Sequence, residues 1–205
     1  MNIQHSALLL IEFQNEWLST DGKLHHHFVD KKQYLTSLIN AEKSLMNARE
    51  SQLSIIHSGL CYTTQYTELG HAKQGLRRVI RENKTFMAGT DSVEFSTQFR
   101  PKENEFIVQG RIGSSAFSGS NLDAYLRNNN ITTLYIMGYA LHVCIESTLR
   151  AAHDLGYEVI IIDDASSAFT EEQKKYFFNN IVHHFGSSVS TENFIIDLQF
   201  ERNLK

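Results

Sequence analysis

Five short, almost continuous runs of apolar residues alternate with amphipathic segments along this chain. Continuous hydrophobicity over about four to eight residues is typical of strands that are buried on both faces, as in a parallel sheet. The runs lie at residues 7–11, 53–57, 106–108, 133–137 and 158–162. A weaker sixth strand is expected near residues 187–190.

Helical patterns occupy the segments between these runs, at residues 31–51, 121–130, 144–155 and 171–185, with a terminal helix from Glu192. Thr170 and Gln173 form a capping-box pattern, and Gly156 is placed as a helix stop. Residues 61–93 are the least regular, and we assign no element to them.

Alternating strands and helices predict right-handed β–α–β connections. We therefore expect an α/β fold, a three-layer α/β/α sandwich around a six-stranded, mostly parallel, Rossmann-like sheet. The absence of repeats and of low-complexity linkers favours a single domain over residues 1–205.

The composition limits the classes of binding partner and the cellular location that we expect. The net charge is −4 with no block of like charges, which argues against nucleic acid and anionic membranes. Two cysteines make no disulfide framework and fit a reducing cytosol. The first apolar run is too short for a signal sequence or a membrane span, so we expect a cytoplasmic location.

Cys144 is the candidate nucleophile, because it stands where a strand pattern gives way to a helical one. A thiol at the start of a helix lies near unpaired N–H groups and the positive end of the dipole, which favour the thiolate. The alternative is a small buried apolar residue. Glu12 follows the first predicted strand and Arg111 the third, so all three residues fall at the carboxyl edge of the sheet, where ligands bind in such folds.

Several segments, in order and at matching spacing, resemble the isochorismatase-like cysteine hydrolases, a superfamily with isochorismatases, nicotinamidases and carbamoylsarcosine amidases. A-L-L-L-I-E-F-Q-N-E-W from Ala7 resembles A-L-L-V-I-D-x-Q-N-D-F, and S-A-F-S-G-S-N-L from Ser115 resembles S-A-F-x-G-T-x-L. The segment from Gly138 resembles G-x-x-x-x-x-C-V-x-x-T-x-R-x-A. The resemblance extends over about residues 6–195.

The resemblance implies an Asp–Lys–Cys triad in an α/β/α fold that often forms homo-oligomers. The cysteine of the triad falls on Cys144, the aspartate on Glu12 and the lysine on Arg111. It also implies an oxyanion hole from the backbone N–H groups of Cys144 and Ala140, after a cis peptide bond between Tyr139 and Ala140.

These matches imply a cysteine-dependent hydrolase of a small amide or ureido-type C–N bond, acting through a thioester. Cys144 would attack, Glu12 would accept the proton, and Arg111 would stabilise the thiolate and the oxyanion. Glutamate adds a methylene to the expected aspartate, and arginine holds its proton where lysine can share one. The two replacements either compensate for each other or mark a site that has lost turnover.

Other interpretations stay open for the remaining residues. Glu12 could cap a helix, and Arg111 could be a loop residue or form a structural ion pair with Glu12. An aromatic substrate pocket is expected from Phe13, Trp17, Phe117, Tyr139 and His142, with ordinary core packing as the alternative.

Two rival functions follow from the same residues. The segment G-Y-A-L-H at residues 138–142 resembles G-V-Y-A-H of vinyl-ether-cleaving isochorismatases, although the presence of Cys144 disfavours that reaction. The second rival is a binding or redox-sensing protein without turnover.

We expect a small-molecule substrate, a homodimer or homotetramer, and no cofactor. The chain lacks the glycine patterns of dinucleotide and phosphate loops. The Asp-x-His…His metal motif of nicotinamidases is absent from the region around His57, so we predict no metal.

Overall fold

All six predicted strands are present and lie parallel in one sheet. A computed structural model describes residues 1–203; residues 204 and 205, the end of the expected domain, lie outside the described residues. The strands are β1 (Ser6–Ile11), β2 (Ser54–Ser58), β3 (Phe106–Ile107), β4 (Thr133–Gly138), β5 (Glu158–Ser166) and β6 (Ser187–Val189). Their order is β3-β2-β1-β4-β5-β6, and each neighbouring pair is parallel. The predicted α/β fold class is confirmed.

The helices pack on both faces of this sheet. They are α1 (Asn15–Leu18), α2 (Lys31–Glu50), α3 (Gly75–Asn83), α4 (Leu122–Asn128), α5 (Glu146–Asp154), α6 (Glu171–Phe177), α7 (His183–Phe185) and α8 (Thr191–Asn203). The predicted capping box of Thr170 and Gln173 begins α6. No helix within residues 1–203 is long and apolar enough to cross a membrane.

Two helices depart from the sequence prediction. A π-helical turn, Leu141–Ile145, precedes α5, and another, Phe178–Val182, separates α6 from α7, so the predicted helix at residues 171–185 is interrupted. Helix α3 lies inside the segment to which we assigned no element. It has nine residues, little more than two helical turns, and this length is too short for its apolar side chains to show a clear helical period in the sequence.

The side chains of β1 show why the apolar runs are continuous. Leu8 and Leu10 belong to the core on one face of the sheet, while Ala7, Leu9 and Ile11 belong to the core on the other. Both faces are therefore covered, so every position of the strand is buried, and all positions after Ser6 are apolar.

The strand order reverses between β1 and β4, and this pair forms the switch point of the sheet. Ile11 pairs with Gly138 at the carboxyl ends of the two strands. Gly138 has φ of 132°, and a Cβ there would lie 2.1 Å from the carbonyl oxygen of Ile11. Only glycine permits this close approach, which brings Glu12 next to the turn that carries Cys144.

Candidate active site

Glu12, Arg111 and Cys144 converge at the carboxyl edge of the sheet, as their positions after β1, β3 and β4 require. Their exposed fractions are 0%, 4% and 5%. Arg111 Nη2 donates to Glu12 Oε1 at 2.5 Å, which makes a buried ion pair. The charges of both residues act on the Cys144 thiol.

Glu12 is held in an uncommon backbone conformation. Its φ is 59°, in the left-handed region that costs a non-glycine residue roughly 1–2 kcal/mol. Its N–H donates to the carbonyl oxygen of Ser58 at 2.8 Å. Its second carboxylate oxygen, Oε2, accepts a hydrogen bond from Trp17 Nε1 at 2.8 Å. Each carboxylate oxygen thus has a donor that fixes its position.

Arg111 uses its whole guanidinium within the fold. Besides the bond to Glu12, it donates to the carbonyl oxygens of Gly113 (3.0 Å) and Ser114 (2.6 Å), and to both the carbonyl and hydroxyl oxygens of Ser58 (3.3 Å). Burial alone would lower the pKa of Arg111, but the negative charge of Glu12 raises it above its usual range. All three guanidinium nitrogens bind oxygens of the protein, so in this geometry Arg111 positions Glu12.

The turn that carries Cys144 leaves backbone donors free. The carbonyl oxygen of Ala140 accepts from Val143 N (3.0 Å) and Ile145 N (3.3 Å), and the Cys144 N–H does not donate to it. Within residues 1–203 the Ala140 N–H donates no hydrogen bond. The Tyr139–Ala140 peptide bond is cis. The π-helical turn therefore takes the Ala140 carbonyl away from the Cys144 N–H.

The surroundings of Cys144 oppose the thiolate that the start of a helix favours. Burial raises the pKa of the thiol well above its usual range, the charge of Glu12 raises it further, and the charge of Arg111 opposes these effects only in part. The position at the start of a helix is visible in the sequence, but the burial of the thiol and its nearness to the Glu12 carboxylate are not. The raised pKa favours the neutral thiol, so attack requires a proton acceptor.

A cavity of about 200 Å³ opens beside this centre and is lined by Glu12 and Cys144. Trp17, Leu24 and Phe169 form one wall. The segment at residues 60–86, including α3, supplies most of the other lining residues.

Of the five aromatic residues expected at a pocket, Trp17 lines this cavity. The other four lie elsewhere. Phe13 and Tyr139 pack edge-to-face in the core with ring centroids 5.2 Å apart. Phe117 stacks on Tyr157, and His142 lies edge-on against Phe169. Phe13 and Tyr139 follow the core-packing alternative, whereas Phe117 and His142 are half-buried.

Four residues that the sequence reasoning missed shape the site. Gln14 holds the loop after β2 by exchanging hydrogen bonds with the backbone of Leu60, both 2.8 Å. Glu16 is fully buried and accepts from the N–H of Phe86 at 2.9 Å. Tyr62 and Thr85 line the cavity from the irregular segment. Gln14 and Glu16 lie within the first motif, but no local pattern marks Tyr62 or Thr85.

A second buried carboxylate offers a comparison away from the cavity. Glu105 accepts from Arg49 Nε and from His57 Nε2, both at 2.7 Å. The pKa of Glu105 lies well below its usual range, since these bonds outweigh the effect of its burial. Within residues 1–203 no cluster of three or more histidine, cysteine or acidic residues is arranged to hold a metal ion.

Known proteins resemble this chain over nearly its whole length. The isochorismatase domain model matches residues 6–193. The ureidoacrylate amidohydrolase RutB of Klebsiella pneumoniae is 28% identical over 170 residues, which are 78% of this chain and 72% of that protein. The same enzyme of Acinetobacter baylyi is 26% identical over 75% of this chain and 67% of its own length.

Solved structures show the same fold. A cysteine hydrolase from Pseudomonas syringae superposes with a TM-score of 0.82 at 21% identity, covering 98% of this chain and 95% of that one. The N-carbamoylsarcosine amidase of Thermoplasma acidophilum superposes with a TM-score of 0.71 at 22% identity, covering 91% and 96%. With a family model that matches most of its length, this chain belongs to the isochorismatase family of hydrolases.

Proposed function

We propose that this protein hydrolyses the C–N bond of a small amide or ureido compound through a thioester on Cys144. One observation carries the proposal: a carboxylate fixed by two donors lies beside a buried, protonated thiol at the end of a cavity. The ureidoacrylate amidohydrolases among the relatives support this type of substrate.

Glu12 is the proton acceptor in this mechanism. It takes the thiol proton as Sγ of Cys144 bonds to the substrate carbonyl carbon, which gives a tetrahedral oxyanion. The same proton then passes to the leaving nitrogen, the C–N bond breaks, and an amine and a thioester result. Water attacks the thioester and gives its proton to Glu12. The C–S bond breaks, the acid leaves, and Glu12 returns a proton to the sulfur.

The oxyanion is assigned to the backbone N–H groups of Ala140 and Cys144. The free Ala140 N–H and the release of the Cys144 N–H from the Ala140 carbonyl support this role. Arg111 acts through Glu12, because its guanidinium is bound to the Glu12 carboxylate and to oxygens of Ser58, Gly113 and Ser114. The Glu and Arg replacements thus form a buried ion pair through one hydrogen bond, from Arg111 Nη2 to Glu12 Oε1.

The raised pKa of Cys144 disfavours the redox-sensing alternative, since sensor cysteines are accessible and have lowered pKa values.

Cys144→Ala tests the proposal, with Cys61→Ala as the matched control because Cys61 is exposed and outside the cavity lining. Ammonia release from a panel of small primary amides is measured for each variant. We expect Cys144→Ala to lose turnover and Cys61→Ala to retain it. Full activity in Cys144→Ala, or no amide hydrolysis by the unmodified protein, would overturn the proposal.

A further inference from the structure

Away from Glu12 and Cys144, the buried lining of the cavity is mostly apolar. Away from the reaction centre its inner surface comes from side chains such as Trp17, Leu60 and Phe86. The two basic side chains beyond the centre, His27 and Arg77, are both exposed and so belong to the mouth. A polar group that entered the cavity would lose water and find few partners.

Helix α3 closes the cavity with an apolar face. Leu76, Val79 and Ile80, at the spacing of one helix face, all line it. Leu76 and Val79 are 45% and 38% exposed, which is unusual for large apolar residues grouped on one face. Arg78, on the same helix, does not line the cavity.

One buried polar side chain in this lining lacks a partner. Thr85 is 1% exposed, lines the cavity, and its Oγ1 makes no hydrogen bond within residues 1–203. Tyr62, the other buried hydroxyl, already donates to the carbonyl oxygen of Ile112 at 3.3 Å. An unsatisfied buried hydroxyl in an apolar cavity marks a point where a ligand atom would complete a hydrogen bond.

We infer that the substrate is an amide with an apolar body, of the size of one phenyl ring or a short branched chain, carrying a single hydrogen-bonding atom that meets Thr85. The inference rests on the proposed function and names its substrate class. The cavity volume of about 200 Å³ suits such a body, since an apolar cavity of about 150 Å³ holds benzene. A substrate that is polar at both ends, such as a ureido acid, fits this lining poorly.

Alkylation of Cys144 tests the lining independently of hydrolysis. The full-length protein is treated at mildly alkaline pH with iodoacetanilide, which carries a phenyl group, or with N-(2-ureidoethyl)iodoacetamide, a polar chain of similar size. In each case the sulfur displaces iodide, forms an S–C bond and gives its proton to solvent. Peptide mass spectrometry measures labelling at Cys144 and at exposed Cys61, which corrects for the intrinsic reactivity of each reagent.

We expect the Cys144-to-Cys61 labelling ratio to be at least about 10-fold higher for the phenyl reagent, the usual lower range of discrimination by an apolar pocket. Val79→Asn should reduce this preference severalfold, and Arg78→Asn, on the outer side of the same helix, should leave it unchanged. Equal ratios, a preference for the ureido reagent, or labelling of Cys61 alone by both reagents would overturn the inference.

Thr85→Val separates the hydrogen bond from the apolar lining, because valine keeps the shape and removes the hydroxyl. The three hydroxyphenyl isomers of the reagent are compared with the phenyl reagent. We expect one isomer to be favoured in the unmodified protein and to lose that advantage in Thr85→Val. No favoured isomer, or an advantage that survives in Thr85→Val, contradicts the role of Thr85.

Failure of this inference and failure of the proposed function give different results. If the phenyl reagent labels Cys144 selectively but the protein hydrolyses no amide, the inference of an apolar ligand stands and the proposed function is contradicted. A protein that hydrolyses phenylacetamide and 3-ureidopropanamide equally well keeps hydrolysis and contradicts the apolar substrate.

Discussion

The two sides of the cavity differ in how the fold holds them. On the sheet side, Glu12 and Arg111 are buried, paired with each other and bonded to the backbone, and Cys144 follows β4 directly. On the other side, α3 is a nine-residue helix with no buried residue, set within a long irregular segment. The three candidate catalytic residues are therefore placed by the sheet, whereas α3 lines the cavity with side chains that are not buried in the core.

Glu12→Gln, on the sheet side, should have the largest effect on both kcat and the free energy of unfolding. Loss of the proton acceptor should lower kcat by roughly 10²- to 10⁴-fold. Because Arg111 is left buried without its charge partner, the free energy of unfolding should also fall by about 3–5 kcal/mol. Steady-state ammonia release and urea unfolding measure the two effects.

Glu105→Gln is the matched control for that variant. It also removes the charge of a buried, ion-paired carboxylate, but one that does not line the cavity beside Cys144. We expect lower stability with unchanged kcat. If both variants lose kcat equally, the effect of Glu12→Gln reflects stability alone, and its role as base is contradicted.

Backbone substitutions sharpen the comparison further. Gly138→Ala should destabilise the protein by about 3 kcal/mol or more, because the new Cβ would meet the Ile11 carbonyl oxygen and φ is unsuitable for alanine. Gly70→Ala, in the irregular segment, also has positive φ, at 59°, but nothing lies within 4 Å of the new Cβ. Its ψ is −150°, so its cost should be about 1–3 kcal/mol, from the unfavourable backbone conformation alone and without the added clash. Thermal or urea unfolding measures the loss of stability in each variant. Equal losses would contradict the difference that we describe between the two sides of the cavity.

Trp17 belongs to both sides, since it lines the cavity and donates to Glu12. Trp17→Phe keeps an aromatic wall and removes the N–H. We expect a fall in kcat of about 10-fold, the scale of one hydrogen bond to a charged group, with a smaller change in KM. A change confined to KM would show that Trp17 acts only as a wall.

The sequence predicts the sheet side well because its signals are local. Runs such as residues 7–11 are apolar at every position, since both faces of the strand are covered. Parallel strands end at a common edge, so the order of Glu12, Arg111 and Cys144 after their strands is enough to bring them together.

The α3 side could not be predicted, because distant contacts fix it. Phe86 is held by Glu16 and Leu60 by Gln14, across 70 and 46 residues of chain. No pattern near Tyr62 or Thr85 reveals that they reach the cavity. The protonation of Cys144 was missed for the same reason, since it depends on burial and on Glu12, which is far away in sequence.

The central claim is that Cys144 is a neutral thiol until Glu12 takes its proton. The most direct test is the rate of iodoacetamide labelling against pH, with Cys144 and Cys61 resolved by peptide mass spectrometry. Burial raises the pKa of Cys61 as well, but that of Cys144 is raised further, by deeper burial and by Glu12. We predict that Cys144 labelling is slow at neutral pH and rises at higher pH than Cys61 labelling. Fast labelling of Cys144 with a midpoint below neutral pH would show a preformed thiolate and contradict the role of Glu12 as its proton acceptor.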